Sequence, residues 1–275
     1  MQLTKRIYDG IAVGLITLLF VISIFVREEN LKAPLSRHHE WITAHAMLTA
    51  ELWDENGAVT YKFSPVYTRK GSGNAYRNML GGVTAENGDV YYVSYPPFAF
   101  LYLHAVSQLT GGPSLFSVRF ASLSLHYIAA LLLYFLFCNL KPEPERNHPH
   151  FGGLITAALF LFAQGHLWFM GNLFFVDMMV IPLFIAGLLI TLKYYHGNYK
   201  NERLILGGLF LIFFLATYTE WLGLLSAFFT GITFLALAIF KKERRFYRPF
   251  LLIALGSSLA LTTTIVQYSS IEGWA

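Results

Sequence analysis

Nearly charge-free apolar stretches recur along this chain at lengths that match a bilayer, and they limit its fold more than any motif does. Crossing the hydrocarbon takes about 20 mostly apolar residues. Seven runs of roughly that size stand out, at 10–26, 113–140, 151–170, 178–192, 204–219, 221–240 and 249–267. An eighth, 96–109, is shorter and more polar. Composition agrees with the runs: 55% of the residues are hydrophobic and 13% charged, whereas a soluble domain carries about a quarter charged residues. With 25 Phe, 16 Tyr and 5 Trp, the chain holds too much apolar surface to stay disordered in water. A soluble globular protein is excluded. The expected fold class is all-α, a polytopic bundle of about seven transmembrane helices forming one module over 1–275. The single cysteine, Cys138, excludes a disulfide framework and a cysteine-ligated zinc site.

The first run follows Lys5 and Arg6 and ends in Arg27-Glu28-Glu29 with no small-residue cleavage site, so it reads as an uncleaved anchor with its N-terminus in the cytoplasm. Whether 96–109 crosses decides the parity of every later loop. If it does not, the cytoplasmic loops 141–150, 193–203 and 241–248 hold Lys141, Arg146, Lys193, Lys200, Arg203, Lys241, Lys242, Arg244, Arg245 and Arg248, while the outward turns 171–177 and 219–220 hold no Lys or Arg. The positive-inside rule selects that threading. It leaves 27–112 as a large outer loop, 113–275 as the helix bundle, and 96–109 as an interfacial or re-entrant helix. A loop of about 85 residues is far longer than an ordinary connection and is expected to be structured and functional. Within it, 40–55 places Trp41, Ala44, Met47, Leu48 and Leu52 on a helical period, as in a helix lying on the membrane surface. Tyr91, Tyr92 and Tyr95 suit an interface belt.

An ionisable side chain within or beside an apolar span is a functional candidate by default. Asp177 lies at the outer mouth of the fourth span, Glu220 between spans five and six, and His166, with Gln164 beside it, near the outer end of span three. All share the predicted outer face with His38, His39 and Glu40. Each has a plainer reading. Glu40 either serves a site or favours the positive end of a helix dipole. Asp177 either serves a site or caps a helix, and Glu220 is otherwise a solvated turn carboxylate. Arg119 either snorkels to the headgroups or holds a phosphate. His126, midway along the second span, reads as a packing histidine, and His104 carries no specific signal. His39-Glu40 with His45 misses the zinc-protease pattern, because its histidines are not four apart on one helical face. A metal bound by His38 or His39 with Glu40 stays open. No phosphate-binding glycine loop, redox dithiol or nucleic-acid patch is present, so nucleic acid is not an expected partner.

The stretches RHHEWITAHAMLTAELWDENGA, YYVSYPPFAFLYLHAVSQLTGGPSLFSVRFASL, GNLFFVDMMV and ATYTEWLGLL follow one another in an order that resembles the GT-C superfamily of membrane glycosyltransferases. The similarity is to the lipid-A aminoarabinose and protein O-mannosyl transferase-like enzymes and covers most of residues 1–240. Those proteins have an anchor helix, a long outer loop opening with an Asp-Glu pair, an aromatic segment before proline, and a later helix pair whose outer turn carries an Asp. Here His39 stands where the pair has Asp, Ser94-Tyr95 where the family has Glu-Lys, and Glu220 where many relatives have Lys. The chain is also short for that family, which fits a truncated or minimal module.

The resemblance implies transfer of a sugar from a polyprenyl-phosphate donor, among the membrane lipids, to a glycan, lipid or protein acceptor on the extracytoplasmic face. Glu40 first and Asp177 second would take the acceptor proton. His39, Tyr92, Tyr95, Arg119, His166 and Glu220 would contact substrate. The lipid phosphate would be held by Arg119, Arg77 or a divalent metal ion. The alternative from another class is a non-catalytic scaffold or a lipid or sugar transport subunit. Pro182, an interior helix breaker without a counterpart half, speaks against a transporter.

Overall fold

A computed structural model of the protein describes residues 2–36, 39–68, 82–85, 88–140 and 149–272. Among these, eleven α-helices carry nearly all the regular structure: α1 Gln2–Val26, α2 Glu28–Lys32, α3 Glu40–Asn56, α4 Phe98–Leu109, α5 Leu115–Cys138, α6 Pro149–Phe162, α7 Gln164–Asn172, α8 Val176–Tyr195, α9 Glu202–Thr217, α10 Trp221–Phe240 and α11 Tyr247–Glu272. Two short strands, β1 Gly82–Thr84 and β2 Val90–Tyr92, pair antiparallel with Val83 opposite Tyr91.

Local signals start the helices where the runs begin. After two glycines in the left-handed region, Ser114 and Ser117 form a reciprocal capping box that opens α5. Asn201 Oδ1 accepts from the backbone of Arg203 at 2.9 Å and opens α9. Five helices, α1, α5, α8, α10 and α11, are long and apolar enough to cross a membrane. A sixth crossing results if α6 and α7, bent by 64° at a short break, are one broken span. The protein is therefore a helical, multi-pass membrane protein. The run expected as a continuous third span over 151–170 is corrected by that break. The run at 204–219 forms α9, whose 16 residues rise about 24 Å.

Hydrogen bonds sort the helix termini into two ends. At one, Tyr134 Oη donates to Asp9 and meets His150, Asn198 donates to Asn139, and Tyr194 Oη donates to the Arg245 carbonyl at 2.9 Å. At the other, which bears the loop 27–112, the Tyr218 carbonyl accepts from Phe98 N at 3.2 Å and Gln267 Nε2 donates to the Lys62 and Phe63 carbonyls. Helix α4 stays at this loop end: its His104 ring packs 5.6 Å from Trp53 and Gln108 donates to Asp54 on α3. Lys193, Lys200, Arg203, Lys241, Lys242, Arg244, Arg245 and Arg248 all lie at or beside the opposite end, while Lys141 and Arg146 fall outside the described residues.

The helix expected over 40–55 forms, and its expected stripe is buried in part: Leu52 is buried and Met47 and Leu48 pack half-buried on the core, whereas Trp41 and Ala44 are exposed and Thr43, Ala46, Thr49, Ala50 and Trp53 are buried. Polar groups on that face are needed to satisfy chain crossing beneath it. Thr43 Oγ1 accepts from Phe174 N at 3.0 Å, Thr49 Oγ1 donates to the Val66 carbonyl, and Trp53 Nε1 donates to the Ser64 carbonyl. Tyr91 and Tyr92 are buried too, contrary to an interface belt, because β2 lies between β1 and residues 65–67 and packs with α3 and α4 in one core.

Candidate functional site

Strand β2 leads into Val93-Ser94-Tyr95, and Pro96-Pro97 then starts α4, where a fixed φ and a missing N–H cost nothing. This short segment is gripped from several sides. Trp221 Nε1 donates to the Ser94 carbonyl at 2.9 Å, Tyr268 Oη donates to the Tyr95 carbonyl, and Phe98 N donates to the Tyr218 carbonyl. The Tyr92 and Tyr95 rings lie 6.0 Å apart, and each is about as far from Phe175, at 6.1 and 5.9 Å. Two residues beyond Phe175, Asp177 stands exposed in the first turn of α8, at the positive end of the helix dipole.

Glu220 joins the same cluster from the α9–α10 turn. The turn is tight: a Cβ on Gly223 would lie 2.0 Å from the Ala216 carbonyl oxygen, so only glycine closes it. Glu220 is the N-cap residue of α10, yet its side chain makes no cap bond. It is half-buried, and Oε2 is buried with no hydrogen-bond partner among the described residues, which corrects the solvated-turn reading. Burial, and then the negative charge of Asp177, push its carboxyl up to about 7. The Tyr95 hydroxyl is raised by burial and by both carboxylates, and that of Tyr92 by burial, the Tyr95 phenol and Asp177. Asp177, Glu220, Tyr92 and Tyr95 therefore form one acidic, aromatic cluster, called the cleft below. Beside it, an open groove of about 580 Å³ runs between Lys62, Phe63, Leu101, Tyr218, Val266 and Gln267.

Glu40 lies in a second cluster. It is 2% exposed, accepts from Arg119 Nη2 at 3.2 Å and from Ser36 N at 2.8 Å. Arg119 Nη1 also donates to Asn172 Oδ1 at 2.8 Å. A guanidinium so buried does not snorkel, which corrects that reading. Between the clusters stands an aromatic wall. His45 stacks on Tyr67 with centroids 3.8 Å apart and contacts Tyr92, Phe100 and Phe175. Burial pushes its imidazole down to about 3, so it is neutral at physiological pH.

The remaining predicted residues lie apart from the cleft. His166, on α7, donates from Nδ1 to the Phe160 carbonyl at 3.0 Å, with its ring 6.3 Å from His126. His39 is exposed in the left-handed region before α3, 6.5 Å from the Phe169 ring. His38 and Arg77 fall outside the described residues. Among the described residues no group of three or more His, Cys, Asp or Glu side chains is placed to hold a metal. Sequence reasoning missed Tyr268, Asn172 and Arg27. The first two look like ordinary interfacial or helix residues, and Arg27 looks like the flank of an anchor helix; the sequence raises His45 only as a metal ligand. No protein-family model matches this chain, and no curated protein matches it in sequence.

Proposed function

We propose that the chain is a membrane glycosyltransferase of the GT-C type, moving a sugar from a polyprenyl phosphate to a hydroxyl acceptor in the cleft of Asp177, Glu220, Tyr92 and Tyr95. The observation that carries this reading is the grouping of two carboxylates, Asp177 and a Glu220 whose Oε2 is buried without a partner among the described residues, beside the Tyr92 and Tyr95 rings at the end of the bundle where the long loop docks. The acceptor oxygen attacks the anomeric carbon as its proton passes to Asp177. The bond from that carbon to the lipid phosphate breaks, and the phosphate leaves with the electron pair. Asp177 ranks ahead of Glu40 as proton acceptor because Glu40 is buried and held by Arg119. In this reading α9 and the broken α6–α7 pair each cross the bilayer, giving seven spans. The basic end is cytoplasmic and the cleft extracytoplasmic.

Native mass spectrometry of the protein extracted with its own lipids tests the donor class. A bound polyprenyl phosphate or its sugar-charged form is expected. Retention of phospholipids alone, where a known lipid-carrier enzyme keeps its ligand, would favour the non-catalytic scaffold, which His39 at the family's Asp position also favours. With the donor identified, Asp177→Asn should lower transfer by about 10²–10⁴-fold while the donor still co-purifies.

A further inference from the structure

An arginine at the end of a spanning helix ordinarily extends toward water and headgroups. Arg27, immediately after α1, does the reverse. Its side chain folds back along the helix: Nε donates to the Ser23 carbonyl at 2.9 Å and Nη2 to Ser23 Oγ at 3.0 Å, and Nη2 also meets His126 Nδ1 at 3.2 Å. The residue is 2% exposed. For His126 to accept at Nδ1, its proton sits on Nε2, toward the Phe160 carbonyl. All these partners are neutral. Among the described residues no carboxylate forms a salt bridge with Arg27, and its Nη1 has no hydrogen-bond partner.

Arg119 approaches the same spot from the other side. A Cβ on Gly171 would lie 2.8 Å from Arg27 Nη1, and the Gly171 carbonyl accepts from Arg119 Nη1 at 3.4 Å. Two guanidiniums thus flank Gly171, and among the described residues one carboxylate, Glu40, pairs with one of them. The C-terminal end of α7 contributes about half a negative charge and is already engaged by Arg119. Arg119 Nε and Asn172 Nδ2 are also buried without partners. A surplus positive charge and three unused N–H donors, on residues no more than 4% exposed, are the complement of an anion.

We propose that Arg27, Arg119 and Asn172 form a buried anion site around Gly171 that takes the phosphate of a membrane-embedded phosphorylated lipid. Arg27 Nη1, Arg119 Nε and Asn172 Nδ2 supply its hydrogen bonds. A phosphate monoester carries about −1.5 to −2 at pH 7 and three acceptor oxygens, which answers both the charge and the donor count. The lipid enters past α7, the nine-residue helix beyond the bend. Its identity as a polyprenyl carrier rests on the transferase reading, while the surplus charge does not.

The test is binding to the full chain in nanodiscs, with a polyprenyl phosphate, the matching polyprenol, phosphatidic acid and inorganic phosphate as separate probes. Polyprenyl phosphate is expected to bind at least about tenfold tighter than the polyprenol, and Arg27→Met to remove about 10–100-fold of that affinity, as for loss of a charge-assisted hydrogen bond. Lipid-free Arg27→Met should melt no lower than wild type, because the residue removed lacks a counterion. A purely structural arginine would melt lower. Gly171→Ala, which keeps every charge, should weaken binding by crowding Arg27 Nη1. Equal binding of polyprenyl phosphate by wild type, Arg27→Met and Gly171→Ala overturns the site and leaves the transferase reading standing. Arg27-dependent binding of phosphatidic acid but not of polyprenyl phosphate keeps the anion site and removes the carrier, and with it the transferase reading. Arg27-dependent binding of inorganic phosphate alone removes the lipid. Failure of every probe to bind wild type overturns the site.

Discussion

Glu40 opens α3 and Glu220 caps α10, so both glutamates sit where a helix dipole favours a carboxylate. Their neighbours give them opposite characters. Glu40 meets a buried guanidinium, and Glu220 meets another carboxylate. Removing charge from Glu40 strands Arg119, so Glu40→Gln should cost roughly 3–5 kcal/mol, the penalty for breaking a buried pair. Replacing both partners with apolar residues of similar size, Glu40→Leu with Arg119→Met, should recover most of it. Denaturation of the purified protein in detergent measures this, and a single variant within error of wild type would sink the pairing. For Glu220 the folded state raises the carboxyl from 4.5 to about 7, so folding favours the protonated form. Stability from this group is full below about pH 4.5 and is lost as pH rises through about 7. Glu220→Gln should abolish that slope, so its melting temperature relative to wild type rises between pH 5 and pH 8, as parallel melts across the range would show.

At the scale of the element, apolar runs are legible because a helix in hydrocarbon must be apolar along its whole length. The starts of α5, α8 and α10 fall within two residues of their expected positions. The bend between α6 and α7 was hidden, since Gln164-Gly165-His166 interrupts an otherwise apolar run and its effect depends on histidines that meet the freed Phe160 carbonyl from different helices. Only part of the buried face of α3 is legible, for a related reason: hydrophobic periodicity finds Met47, Leu48 and Leu52, whereas Thr43 and Thr49 are buried to serve backbone groups from distant chain. The carboxylates of the cleft were legible one at a time, but their grouping with Tyr92, Tyr95 and Tyr268 needs α8, α10 and α11 to meet β2. Gly223 is the hinge of that meeting. Gly223→Ala puts a methyl 2.0 Å from a backbone oxygen that cannot rotate away, so it should destabilise the protein by about 1–3 kcal/mol. It should also move Glu220 out of the cleft, which the loss of the pH slope described above would report alongside the melting temperature. Retention of the slope would show that Glu220 is positioned by other contacts.

Across the whole molecule, charge is distributed by end as well as by residue. The turn at 218–220 and residues 173–175 on the loop side contain no Lys or Arg, whereas the opposite side gathers Lys200, Lys241, Lys242, Arg244 and Arg245. Only one orientation puts that basic side in the cytoplasm, and the proposed reaction requires it, because it turns Asp177 and Glu220 outward. The single native cysteine is buried at the basic end of α5, so Cys138→Ser gives a clean background for labelling. Val59, 73% exposed on the loop, and Lys200, exposed beyond α8, report the two sides. In intact cells Val59→Cys should react with a membrane-impermeant maleimide, and Lys200→Cys only after permeabilisation. The reverse pattern would turn the cleft toward the cytoplasm, where the donor would be a different chemical species and the proposed reaction would have to be abandoned. Reaction of both in intact cells would mean an even number of crossings between them, which α5, α6–α7 and α8 give only if the bent pair returns to the side it entered from.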